Sequence, residues 1–175
     1  MVFLSVSEKP NYFWKDTKYF LQITYSSTLN DDVITLYHFS HHVVTEINFA
    51  GVNVSSISDK LANGLSKAKN LTKVILESCH LTKDLLSQMK VENSNVKELD
   101  LSSNQLGDCG KELASFLKGF TSLQSLKLAR NRITHKTLEC YDLNFTNLRM
   151  VLNRISTVDR FSSQVLACYI ELSRE

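Results

Sequence analysis

Apolar residues in the middle of this chain recur in a fixed order. Val96, Leu99, Leu101, Asn104 and Leu106 are followed by Leu123, Leu126, Leu128, Asn131 and Ile133, the pattern LxxLxLxxNxL displaced by 27 residues. Looser copies open at Val44 (Val44, Ile47, Phe49, Val52, Val54), at Leu71 (Leu71, Val74, Leu76, Cys79, Leu81) and at Phe145 (Phe145, Leu148, Met150, Asn153, Ile155). The start-to-start spacings are 27, 25, 27 and 22 residues. Each copy is one supersecondary unit that buries its apolar side only by stacking on its neighbours. The LxL core has the period of two that a short strand needs, with the leucines inward and the intervening residue outward. Stacked copies therefore make a parallel sheet, and parallel strands require crossovers.

The connections have helical spacing. Leu113, Phe116, Leu117 and Phe120 fall at i, i+3, i+4 and i+7; Ile57, Leu61, Leu65 and Ala68 fall at i, i+4, i+8 and i+11; the second repeat uses Leu85, Leu86 and Met89. Gly107 and Gly110 are expected to permit a tight exit from the third strand. At the ninth place an inward Asn (Asn104, Asn131, Asn153) is expected to satisfy turn backbone groups that would each cost roughly 1 to 3 kcal/mol if left bare. Cys79 substitutes there in the second repeat, and Val52 in the first is unable to.

The ends differ from the middle. Residues 1–43 hold nine of the sixteen aromatics and only the weak match Phe20, Ile23, Tyr25, which reads as a cap on the first coil or the end of a preceding domain. Phe161, Val165, Cys168 and Leu172 suggest an amphipathic capping helix within 156–175. The organisation is thus 1–43, five repeats over 44–155, and 156–175.

This template is that of the leucine-rich repeats. The run Leu99 to Leu117, LDLSSNQLGDCGKELASFL, resembles the ribonuclease-inhibitor-like subclass, and within it the chain looks most like the carboxy-terminal repeat arrays of NOD-like receptors. The resemblance covers about residues 44–155. It implies an α/β solenoid, a right-handed β-α superhelix with parallel strands on the concave face and helices on the convex face. It also implies a ligand-sensing or autoinhibitory role in innate immunity, with other domains of a larger receptor among the partners. The GxxxxGK[ST] phosphate cradle of that family's nucleotide-binding module does not occur in this sequence.

Composition changes this picture little. The 175 residues are 43% hydrophobic and 22% charged, ordinary globular values, and a net charge of +2 gives no footprint for nucleic acid. No run reaches the roughly 18 apolar residues of a membrane span. Cys79, Cys109, Cys140 and Cys168 are scattered without a CxxC pair, which reads as reduced and cytoplasmic. The triplets at Asn53, Asn70 and Asn144 match the glycosylation pattern, but glycans on the latter two would obstruct stacking.

Catalytic chemistry finds few handles. His38, His41 and His42 have spacings that do not present all three to one metal ion, and no GxSxG elbow or placed Cys–His pair supplies a nucleophile. The reading is non-enzymatic and cofactor-free. Interest falls instead on the outward strand positions, where Glu46, Glu77, Glu98 and Asp100 lie. Between the two apolar residues of each core stand Asn48, Ile75, Asp100, Lys127 and Arg149, about 4.8 Å apart across the sheet. The concave face runs from neutral through acidic to basic, a surface for a protein partner. Alternatively, Asp100 and Lys127 only pair across strands. Arg130 and Arg132, flanking Asn131, add forked donors at the rim. The expected function is a protein-interaction scaffold; the alternative is an enzyme inhibitor or GTPase regulator on the same repeats.

Overall fold

The computed structural model describes residues 44–134 apart from 94, with Thr137 and the backbone of four outer strands, 2–7, 18–23, 149–152 and 169–172. Its eight strands form one sheet whose spatial order is the order of the chain. They are β1 (Val2–Ser7), β2 (Lys18–Ile23), β3 (Val44–Asn48), β4 (Lys73–Ile75), β5 (Glu98–Asp100), β6 (Ser125–Lys127), β7 (Arg149–Leu152) and β8 (Tyr169–Leu172). Strands β1 and β2 are antiparallel, and every later neighbouring pair is parallel. Three crossovers carry the helices α1 (Ser58–Lys67, after a single 3-10 turn at Ser55–Ile57), α2 (Lys83–Gln88) and α3 (Gly110–Leu117). This is an α/β repeat fold.

The register shows why the LxL core works. Ile47, Val74, Leu99 and Leu126 are successive partners across the sheet, and all four are buried. Leu61 and Leu65 of α1, Leu86 of α2, and Leu113, Phe116 and Leu117 of α3 join the same core. Phe116 meets Phe120 edge-on at 5.2 Å between ring centroids, a favoured aromatic geometry. Helix α2 is short, and Thr82 caps it by accepting from the Leu85 N–H at 3.4 Å.

Backbone hydrogen bonds repeat like the sequence. Beyond the strands, Phe49, Leu76 and Leu101 donate N–H to the carbonyls of Ile75, Asp100 and Lys127 at 2.8–2.9 Å. Two residues on, Gly51, Ser78 and Ser103 donate to Glu77, Ser102 and Ala129 at 2.8–3.0 Å. Those last donors and Arg130 occupy the eighth place of their repeats, and all four are left-handed, with φ between 54° and 77°. Only Gly51 does so without a Cβ. The fold carries the cost at Ser78, Ser103 and Arg130 because this bend turns the ninth side chain into the core.

Four expectations change. Gly107 and Gly110 do not serve as flexible exits, since neither has positive φ. A Cβ on Gly107 would come within 2.7 Å of the Arg132 carbonyl oxygen, so close backbone approach is its reason, and Gly110 begins α3. The same argument, unforeseen, applies to Gly119, where a Cβ would sit 1.7 Å from the Val91 carbonyl oxygen. The fifth repeat is shifted by two: Met150 pairs with Leu126 and Arg149 with Ser125, while Val151, not Arg149, stands beside Lys127. Counting five from Met150 then reaches Ile155 rather than Asn153.

The N-terminal match is also displaced. Leu21, not Ile23, lies beside Ile47, so the sheet's register continues across residue 43. At the other end, Tyr169–Leu172 is a strand paired with β7, so the capping helix does not extend through Leu172. A β-branched and an aromatic residue in that tetrapeptide favour the pleated conformation over the helix that the i, i+4 spacing suggested. Phe145, Leu148, Asn153, Phe161, Val165, Cys140, Cys168, Asn144 and the histidines 38, 41, 42 and 135 lie outside the described residues.

Replacing Leu101 or Leu126 with Ala should lower unfolding free energy by about 2–5 kcal/mol, the range for buried leucines, measurable by urea denaturation. A loss below about 1 kcal/mol for both would mean that these side chains do not share a packed spine.

Candidate protein-interaction face

The site begins with what anchors the turns. The Asn104 carboxamide oxygen accepts the N–H groups of Cys79 and Leu81, both at 3.0 Å. Its nitrogen donates to the carbonyls of Leu76, Leu101 and Ser102 at 2.8–3.0 Å. Asn131 repeats this one coil later, accepting from the Asn104 N–H at 2.9 Å and donating to Leu101, Leu128 and Ala129. One buried side chain thus satisfies backbone groups of two coils at once.

Cys79 performs half of this task. Its thiol donates to the carbonyls of Phe49 at 3.1 Å and Glu77 at 3.5 Å, the places that Asn104 reaches in its own and preceding coils. It has no carboxamide oxygen to receive the N–H groups of Val52 and Val54. Those turn to the carbonyls of Phe49 at 2.9 Å and Cys79 at 3.4 Å. Burial, against the opposing pull of nearby backbone N–H groups, pushes the Cys79 thiol up to about 12. Burial and then the charges of Glu112 and Asp108 raise Cys109. Both cysteines are free and buried; a protonated thiol is a poor nucleophile.

A second polar joint escaped the sequence reading. Asn93, 4% exposed, donates to the carbonyls of Leu65 at 2.6 Å and Ala68 at 3.0 Å, accepts from the Asn95 N–H, and gives its own N–H to the Gly119 carbonyl. It ties three successive coils at their helix-to-strand side. No counterpart recurs at the same place in the neighbouring repeats, so periodicity had nothing to flag. Further on, the buried Thr137 hydroxyl donates to the Gly107 carbonyl.

With the turns fixed, the outward strand positions form rows. Glu46, Lys73, Glu98, Ser125 and Arg149 are successive register partners, and so are Asn48, Ile75, Asp100, Lys127 and Val151. Ile47, Val74, Leu99 and Leu126 between them are buried, while the row residues of β3–β6 are half-buried or exposed. Glu46 pairs with Lys73 at 3.1 Å and Asp100 with Lys127 at 3.4 Å, each directly across the ladder. Cross-strand pairing of Asp100 and Lys127 is therefore present. Asp100 also accepts the Ser102 N–H at 3.0 Å, and Asn48 the Ala50 N–H at 2.9 Å, so both brace the bend after their strand.

The other expected residues separate. Glu77 is just past β4, accepting the Ser103 hydroxyl at 3.4 Å. Arg130 and Arg132 are exposed and left-handed, at φ 58° and 57°, on either side of buried Asn131. They belong to the rim rather than the strand rows. Arg149 is on the same row as Glu46 and Glu98, not that of Asp100. His80 is exposed with φ 57°. Among the described residues, no three His, Cys, Asp or Glu side chains gather as a metal-binding set, and no helix is long and apolar enough to cross a membrane.

Asn104→Ala orphans the Cys79 and Leu81 donors and should cost about 2–6 kcal/mol, at 1–3 kcal/mol per bare group; Cys79→Ala should cost less than half as much. Chemical denaturation of both variants checks the order. The raised Cys79 thiol is protonated in the folded chain where the unfolded thiol has ionised, so stability should fall as pH climbs from about 9 towards about 12. Cys79→Ala should flatten that fall, read from melting temperatures against pH.

Comparison with known proteins agrees with this geometry. Residues 92–110, spanning β5 and its turn, match the family described as Leucine Rich repeat. A stretch of 97 residues, 50% of the chain, is 37% identical to the Tonsoku-like protein of Mus musculus, of which the match covers 7%. The chain therefore spans a small part of that relative's length. No solved structure matches. The matched motif, the in-register parallel strands and the Asn-braced turns support a leucine-rich-repeat protein with an α/β repeat fold.

Proposed function

We propose that the chain is a non-enzymatic protein-interaction scaffold, and that its strand–helix units wind as a solenoid whose concave side is the open sheet face. The observation that carries this reading is the asymmetry of the sheet. One side of β3–β6 is sealed by the core, whereas no described element packs on the other, which presents Glu46, Asn48, Lys73, Ile75, Glu98, Asp100 and Lys127. Repeat proteins use such extended surfaces to bind other macromolecules.

The charge sequence along this face supports docking by a protein of opposite polarity, with Arg130 and Arg132 contributing at the rim and Arg149 beside Ser125. The likeness of Leu99–Leu117 to ribonuclease-inhibitor-like repeats supports a setting like the sensing or autoinhibitory region of a NOD-like receptor. The scattered free thiols support a cytoplasmic one. An inhibitor or GTPase-regulating role is the competing use of the same surface.

Photo-crosslinking tests the reading directly. A crosslinker replacing Ile75 should capture a protein partner, while one replacing Lys111 on α3 should not. Neutralising Asp100 as Asn, which keeps an acceptor for the Ser102 N–H, and reversing the charges of Lys127 and Arg149 should abolish capture while the chain stays folded by circular dichroism. Capture unaffected by these changes would move binding off this face. Inhibition of a ribonuclease, or stimulation of a small GTPase, would select the competing role.

A further inference from the structure

We propose that the acidic part of the open face takes an extended basic segment of a partner protein, patterned basic-x-aliphatic-x-basic. Its aliphatic side chain would lie over Ile75 and its cations at Glu77 and Glu98. This rests on reading the face as an interaction surface and narrows that reading to a class of partner.

The charges on the face do not cancel evenly. Lys73 is held by Glu46 at 3.1 Å and Lys127 by Asp100 at 3.4 Å. Two carboxylates remain. Glu98 is exposed and has no ion pair among the described residues, although Lys73 is its register partner and Lys97 precedes it. Among the described residues, the Glu77 carboxylate has only the long contact from the Ser103 hydroxyl. Between them is Ile75, a half-buried aliphatic residue on the otherwise polar centre of the face, flanked in register by Asn48 and Asp100.

Spacing then selects the conformation of the occupant. Glu77 is two residues beyond Ile75, and Glu98 is two residues before Asp100, the register partner of Ile75. At about 3.3 Å per residue the two carboxylates are separated by about 13 Å along the strand direction, with Ile75 midway. In an extended peptide, residues i, i+2 and i+4 share one face and span the same distance of about 13 Å. On a helix, i and i+4 are only about 6 Å apart. The arrangement therefore fits a strand-like segment running along β4 and β5. Burying its aliphatic side chain against Ile75 supplies contact, and the flanking cations supply orientation and encounter rate.

The test is an NMR titration of the full chain, labelled with ¹⁵N, using the synthetic peptide acetyl-Gly-Lys-Thr-Ile-Thr-Lys-Gly-amide at low salt. Saturable shifts should appear at the Ile75, Glu77 and Glu98 amides and weaken as salt is raised. Glu98→Lys should reduce affinity at least tenfold at an unchanged melting temperature, and replacing one peptide lysine with glutamate should restore binding to that variant. Absence of saturable shifts, indifference to Glu98→Lys, or equal binding of a peptide with adjacent lysines would overturn the proposal. If crosslinking at Ile75 still captures a partner while the peptide fails, the scaffold reading stands and this partner class is wrong; if both fail, the face itself is misassigned.

Discussion

Everything in this fold depends on satisfying backbone donors and acceptors where a three-residue strand bends sharply into a buried turn. A strand that short makes few ladder bonds, and the bend after it leaves N–H and C=O groups away from water. Each such group is costly when bare. The carboxamide of Asn104 reaches five of them in two coils, and the left-handed residue before it is what lets it turn inward. Packing, register and the open face follow, because the strands stay aligned only while their turns remain joined.

The same constraint explains what was legible in the sequence. Inward residues obey one periodic rule, so Ile47, Val74, Leu99, Leu126 and the Asn at the ninth place were readable together, with the helix faces that cover them. Fourfold use of the left-handed eighth place was hidden, because Ser78, Ser103 and Arg130 carry no glycine signal. Asn93, Gly107 and Gly119 answer to non-repeating close approaches, which periodicity does not encode. At the ends the pattern is degenerate: Leu148, Met150 and Leu152 all share one parity, so inward alternation alone leaves a shift of two undecided. The backbone pairing of Met150 with Leu126 decides it.

On the candidate face, the sequence identified the residue types and their side of the sheet but not their employment. Asp100 has one carboxylate oxygen engaged by its own turn and the other by Lys127. Asn48 likewise braces its bend. Residues that appeared equivalent as outward polar positions are thus unequal as ligands. Those already engaged locally contribute shape, whereas Glu98 retains an exposed charge. Surface ion pairs such as Glu46–Lys73 stabilise little by themselves, but they remove cations that would otherwise neutralise their neighbours.

The polar ladder is also directional, and it thins towards the N-terminal side. Asn131 serves the turn of Asn104 and Asn104 serves that of Cys79, yet Cys79 offers only a donor to the coil before it. Val52 offers neither, and its own N–H is satisfied within its turn by Phe49. At the turns, coupling between the first and second repeats therefore leans on the strand ladder and on apolar contacts of Phe49, Val52 and Val54, all buried, and its polar bridge is the Asn93 carboxamide on Leu65 and Ala68. In a stack where stability is carried by nearest-neighbour contacts, this joint is held away from its turns, where Thr72 also donates to the Thr45 carbonyl and Ser66 accepts the Glu92 N–H. Each described joint is therefore bridged by a buried carboxamide, but between β3 and β4 that carboxamide is Asn93 on the helix-to-strand side, whereas after β4 it is Asn104 and then Asn131 in the turns.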